Sequence, residues 1–230
     1  MPRRIFNPAF GNEGLLEVCY AAYRGRVGYN PERTPEPDLQ RNQHFFIKAH
    51  ISARFDIITH CVVKSSQMVF SYYKRLTASQ KHVYDKSDKE TSVKIPNASE
   101  LYPLVNALET ALKKEDRGEI EMFSQKLISA LTYRLKAPAI KVKVLAVRPH
   151  NSRGELHGLY NPSERLPAMI TLWMRTAQQK RVVAFKTFLR TLLHEMCHHL
   201  DYEYFGFPYS FHTEGFYKRE SSLFHQLMDR

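Results

Sequence analysis

Between Arg181 and Phe205 apolar residues recur mostly at three- and four-residue intervals, and inside that run stands His194-Glu195-Met196-Cys197-His198, an H-E-x-x-H motif. A helix through these residues sets the two histidines about 40° apart around its axis, so both imidazoles can reach one metal ion. Glu195 lies one step further around, able to address a water at that ion without binding the ion itself. Phe185, Leu189, Leu192, Met196 and Leu200 fall on roughly the opposite side. The histidines are therefore expected to face away from the main packing stripe. Gly206 and Pro208 can end the helix near Phe205.

A catalytic zinc takes three protein ligands and keeps one position open for water. The candidates for the third are Asp201, His212, Glu214 and His225. Asp201 projects within about 20° of His194 on the helix and competes with its alternative role, an acceptor that holds a ligand imidazole. His212 lies beyond the break at Gly206-Phe207-Pro208, where the chain can turn back, and is favoured because zinc readily takes a third imidazole. Cys197 reads as a packed thiol and His199 as a solvated or supporting side chain. Tyr209 and Tyr217 flank His212 and could donate to a developing oxyanion; His157 and Tyr160 stay open.

Upstream of this helix the period changes twice. Leu101–Lys114 and Glu119–Leu135 carry helical spacing, with Asp116-Arg117-Gly118 as the joint and Gly118 able to end the first helix. After Pro138, Ile140–Val144 alternates apolar and charged residues as a half-buried strand does. Leu156–Tyr160 and Met169–Met174 are expected as two more strands, with Asn161-Pro162-Ser163-Glu164 turning between them. Helices, a small sheet and one long helix make an α+β fold. Phe45–Leu76 is expected to form one or two helices, and residues 29–42 a loop. Residues 77–97 are polar and end in Pro96-Asn97, which suggests a boundary. The division is an N-terminal region of helical character over 1–96 and a second domain over 97–230.

The charge balance is +11, from 34 Lys+Arg against 23 Asp+Glu, and favours polyanionic partners without fixing a fold. Lys136, Lys141, Lys143 and Arg148, then Arg175, Lys180, Arg181, Lys186 and Arg190, could give DNA a basic surface. No helix-turn-helix, zinc-finger or RNA-recognition signature accompanies them. Three distant cysteines argue against a disulfide framework. No apolar stretch suits a membrane span, and the N-terminus has no apolar leader. A cytoplasmic, nucleoid or nuclear location is expected, not secretion.

Thr191-Leu192-Leu193-His194-Glu195-Met196-Cys197-His198, followed by His212-Thr213-Glu214-Gly215-Phe216, resembles the SprT-like zinc metallopeptidases, the group that includes the Spartan DNA–protein crosslink proteases. In that family a third histidine follows the helix after a variable loop, with an aromatic residue four positions later; Phe216 stands there. The Ile-Thr-Leu run at 170–172 and Gly158 are similar to the family's small sheet. Thr213 stands where the family often has glycine, and the chain lacks the cysteines of the zinc ribbon that many members carry. The resemblance spans roughly 119–230, with its specific part in 156–216.

It implies a zincin-like fold, with a small, mostly antiparallel sheet on the active-site helix and additional N-terminal helices. It also implies that His194, His198 and His212 bind Zn2+ and that Glu195 is the catalytic carboxylate of a metalloendopeptidase. Glu195 would take a proton from the attacking water and return it to the leaving amine. The substrate would be a protein or peptide, DNA-associated proteins among them, lying along an edge of the sheet. The rival is a basic nucleic-acid-binding protein in which the same residues hold a structural or vestigial zinc. Asp201 closing the site as a fourth ligand would favour that rival.

Overall fold

The computed structural model describes residues 70–151, 154–163 and 167–228. The loop read at 29–42 and most of the helical expectation for 45–76 lie outside the described residues. Of the latter, residues 70–76 form a short turn of 3-10 helix, Tyr73–Arg75.

Residues 77–97, expected to be a boundary, contain a helix, α1 (Ala78–Lys89). Thr77 starts it with a reciprocal box: the Thr77 hydroxyl accepts from the Gln80 amide, and the Gln80 side chain accepts from the Thr77 amide. Val93 and Ile95 after it are buried in the main core. Two helices follow, α2 (Tyr102–Lys114) and α3 (Arg117–Leu135). The stop between them is not Gly118. Glu115 turns left-handed at φ 58°, Asp116 caps the Glu119 amide, and Gly118 lies inside α3.

The strands are β1 (Ile140–Val147), the short pair β2 (His150–Asn151) and β3 (Gly154–Glu155), β4 (Gly158–Asn161) and β5 (Ala168–Arg175). The main sheet has the order β1-β5-β4. Its expected antiparallel character is corrected: β1 and β5 run parallel, with Val142 opposite Ile170, and only β4 and β5 are antiparallel, with Tyr160 opposite Ile170. The reason is topological. The chain leaves β1, reverses through the β2–β3 pair and β4, and returns as β5 between the two, so β1 and β5 share a direction. As the middle strand, β5 is buried on both faces through Ile170–Met174, which explains why its run is apolar apart from Thr171.

The outer edge of β1 is covered by side chains of α3. Gln125 donates to the Ile140 carbonyl and accepts from the Val142 amide; Glu121 accepts from the Val144 amide; Arg117 donates to the Val144 carbonyl. Residues 117, 121 and 125 repeat every four positions, so one helix face does for this edge what another strand would do.

The long helix, α4, spans Phe185–Glu203 and starts later than the pattern suggested. Arg181–Val183 instead prolong the sheet: Val182 bridges Arg175, and the Val183 amide donates to the Met174 carbonyl. Gly206, at φ 67°, sits just beyond the end of α4 in the left-handed conformation. The histidines, set away from the main packing stripe, are packed as well: every residue of α4 from Thr191 to Asp201 is buried. The sheet covers one side, and a last helix, α5 (Glu214–Met228), covers another. Phe216 and Phe224 pack on α4 from this helix, whereas Phe207 and Phe211 join a separate cluster with Tyr72 and Tyr84.

Candidate metal centre

Helical spacing brings His194 and His198 together on α4, with ring centroids 5.1 Å apart. His212 arrives from the loop before α5. That loop folds back because Gly206 reverses the chain and the Phe207 amide donates to the Asp201 carbonyl. The His212 ring then lies 4.9 Å from each of the other two, and one ligand nitrogen from each ring falls within 4.8 Å of the others. All three imidazoles are buried. Phe216 floors the group, 4.8–5.0 Å from every ring.

Hydrogen bonds on the far side decide which nitrogen faces inward. The Glu220 carboxylate lies 2.9 Å from His194 Nδ1 and can only accept while ionised, so Nδ1 carries a proton and, in the neutral ring, Nε2 keeps a lone pair. Ser210 has one hydroxyl proton and gives it to Asp201 Oδ2 at 2.7 Å. Its oxygen therefore accepts from His198 Nδ1, also 2.7 Å away, and His198 Nε2 is likewise a lone pair. That Nε2 is buried with no hydrogen-bond partner among the described residues, while His194 Nε2 faces His212 Nε2 at 3.0 Å. Converging acceptor nitrogens in a dry site call for a proton or a cation between them. Three imidazoles, two of them pre-set by acceptors behind, fit a borderline divalent ion such as zinc.

Protonation follows the same layout. Burial, the neighbouring His212 and His194, and Arg219 push the His198 pKa well below its ordinary value, favouring the neutral ring a metal needs. Burial acts in the same sense on His194. There the Glu220 hydrogen bond and charge, with Glu195 and Asp201, outweigh it and leave the pKa raised.

Glu195 is 1% exposed, and its buried carboxylate oxygens make no hydrogen bond of good geometry among the described residues, the Tyr160 backbone amide reaching them only weakly. Burial pushes its pKa up to about 7, against the pull of the His194 charge and the Tyr160 backbone amide. Strand β4 passes so close that a Cβ on Gly158 would stand 2.5 Å from Glu195 Oε1 and 2.8 Å from Thr191 Cγ2. Only glycine allows that approach without a shift.

Of the four candidates for a third ligand, only His212 joins the pair. Asp201 is fully buried but spends its oxygens on Ser210 and Arg219, so it acts behind His198. Glu214 pairs with Lys218, and His225 packs on Phe224. Tyr217 stacks on His212 at 5.9 Å, whereas Tyr209 packs on Phe211. Cys197 is buried as expected, its thiol pKa raised by burial. His199 is not solvated: 1% exposed, it sits between the Tyr160 hydroxyl and the Pro138 carbonyl.

Glu220, Ser210 and Arg219 were missed. Glu220 lies four residues beyond Phe216, one helical turn on, and that spacing was the available signal once α5 is known. The basic series also divides. Arg148 is buried against Glu155, Arg175 pairs with Glu115 and Arg190 with Glu220, which leaves Lys136, Lys141, Lys143, Lys180, Arg181 and Lys186 as its exposed members. No helix among the described residues is long and apolar enough to cross a membrane. Protein-family models, curated proteins and solved structures return no match to the chain.

Proposed function

We propose that the protein is a zinc metalloendopeptidase with a zincin-like, SprT-like catalytic domain. One observation carries the reading. Three buried imidazoles converge, and a buried carboxylate, Glu195, stands on the same helix between two of them. A structural zinc site would be closed by a fourth side chain. The fourth candidate, Asp201, is already engaged by Ser210 and Arg219.

His194, His198 and His212 would hold the ion, which when bound supplies Lewis-acid polarisation of a water and of the scissile carbonyl. Glu195 takes the water proton on a carboxylate oxygen and later delivers it to the departing amine. A pKa near neutrality suits a group that must both accept and release. Glu220 and Ser210 keep the Nδ1 protons of His194 and His198 outward, and Phe216 excludes water beneath the rings. A substrate strand pairs along the outer edge of β4, which no strand among the described residues occupies, since α3 side chains already occupy the β1 edge. The substrate is a protein or peptide. The exposed lysines make DNA-associated proteins the class to try first.

The test is zinc analysis coupled to proteolysis of an unstructured protein, with and without DNA, for wild type and Glu195→Gln. We expect about one zinc per chain in both and at least a hundredfold loss of cleavage in the variant. Cleavage retained by Glu195→Gln would refute its role. DNA binding without hydrolysis by zinc-loaded wild type would favour the nucleic-acid-binding rival.

A further inference from the structure

Arg219 is the largest fully buried side chain among the described residues, on the inner face of α5, and the mechanism above does not use it. Its guanidinium joins two distant stretches of chain. One Nη donates to the Ser87 and Glu90 carbonyls at the end of α1. The other donates to Ser87 Oγ at 3.0 Å and to Asp201 Oδ1 at 2.7 Å. Asp201 in turn holds Ser210, and Ser210 holds His198 Nδ1. The guanidinium also lies over Phe205 and beside Phe216, the floor of the three imidazoles.

The same stretch of chain grips the other end of the site. The Tyr72 hydroxyl donates to the His212 carbonyl at 3.1 Å. Ser87 Oγ meets Thr213 Oγ1 at 3.5 Å, and Asp88 Oδ1 accepts from the Gly215 amide at 2.9 Å. A Cβ on Gly215 would stand 2.5 Å from the Ser87 carbonyl oxygen, so the two backbones are in direct contact. Tyr72, Tyr84 and Phe211 form an aromatic cluster beside this loop.

We propose that Arg219 is a positioning residue of the metal centre, tying residues 72–90 to His198 through Asp201 and Ser210 while Tyr72 fixes the backbone of His212. Buried charge explains why this linkage is stiff. A guanidinium shut away from the surface holds its carbonyl and carboxylate partners in one geometry, and removal of any member leaves its neighbours short of a bond. Two of the three imidazoles are thus oriented by a segment more than a hundred residues earlier in the chain. The inference rests on the metal-binding half of the function proposed above and not on peptide hydrolysis.

The experiment measures Zn2+ affinity by competition with a chromophoric chelator, and the Co2+ absorption spectrum, on the full chain. The proteins are wild type, Ser210→Ala, Arg219→Met, Arg219→Lys, Tyr72→Phe and the Ser210→Ala/Arg219→Met double variant. Circular dichroism confirms that each is folded under the assay conditions. We expect Ser210→Ala and Arg219→Met each to weaken Zn2+ binding by about 10- to 100-fold and to alter the Co2+ spectrum. Arg219→Lys should recover part of the loss. The double variant should lose little more than either single one, because both break the same chain of contacts. Tyr72→Phe should cost about threefold to tenfold.

If Arg219→Met does not fold, Ser210→Ala and Tyr72→Phe decide. Wild-type affinity within twofold in the folded variants, with an unchanged Co2+ spectrum, would overturn the proposal and leave Arg219 a purely structural residue. Wild type that takes up no Zn2+ would instead sink the metal-site reading itself.

Discussion

Two parts of the molecule deliver imidazoles to the same point by different physics. His194 and His198 sit on α4, where backbone hydrogen bonds four residues apart fix their relation before any tertiary contact forms. His212 sits on a loop whose course depends on Tyr72, Ser87, Asp88 and Gly206. The helix-borne pair is a local property of the sequence, and the third ring is a property of the whole fold. Metal binding should therefore act as a link between them, binding only the chain in which both parts are in place.

The largest effect should come from deleting rings on either side of this divide. His198→Ala and His212→Ala should each lose stoichiometric zinc, an effect larger than the about 10- to 100-fold expected for residues behind the ligands. Their consequences for stability should differ. Metal-free His212→Ala should melt near metal-free wild type, because the loop keeps its backbone anchors. His198→Ala should melt lower, because it leaves the Ser210 oxygen short of a donor in the interior. Equal melting temperatures for the two metal-free variants would mean that the loop and helix are not held as differently as their contacts suggest.

Next in size is Gly158→Ala, which acts on the carboxylate and not on the rings. The added methyl must displace Glu195 or β4, since its nearest neighbours would stand at 2.5–2.9 Å. Misplacing a catalytic group by such amounts costs on the order of a hundredfold in rate. Zinc content should stay at wild type. A variant with normal turnover would show that Glu195 has slack, and with it that its burial does not dictate its position.

The contrast between the two parts also accounts for what could be read from the sequence. The H-E-x-x-H helix, β1 and the buried run of β5 were legible because each announces itself in a window of a few residues. His212 could be favoured as third ligand on coordination chemistry, but nothing local could hold it there. The parallel pairing of β1 with β5 was not legible, since strand direction depends on where the chain travels between them. Helix α5 was hidden because Arg219 and Glu220 look like solvent-facing residues and are in fact buried, neutralising one another's neighbours around Asp201 and His194. Helix α1 was hidden for a related reason: it buries only Val83, Tyr84 and Ser87, so its composition reads as a linker.

A smaller, pH-dependent effect probes the helix side alone. Glu220 raises the His194 pKa, so protons compete with metal at His194 up to a higher pH than at an ordinary histidine. Apparent zinc affinity of wild type should climb with pH and level off only above that raised value. Glu220→Gln removes the raising charge, so its affinity should level off at lower pH. Its plateau should nevertheless lie about tenfold below wild type, because the Nδ1 proton is less firmly held and the ring is a poorer donor. The two curves should converge toward acid. Parallel curves would assign the raised pKa to Glu195 or Asp201 instead.

The smallest effect tests whether α1 matters to the site through its contacts or merely through being a helix. Thr77 caps the end of α1 remote from Ser87 and Asp88, and Thr77→Ala removes one side of the reciprocal box. The loss should be about 1 kcal/mol of stability, visible as a lower melting temperature. Zinc affinity of the folded protein should stay within twofold of wild type, since the residues that touch Arg219, Thr213 and Gly215 all lie at the other end. A drop in affinity matching that seen for Tyr72→Phe would mean that fraying at one end of α1 travels its full length. The grip on His212 would then depend on the helix as a unit and not on the few side chains that touch it.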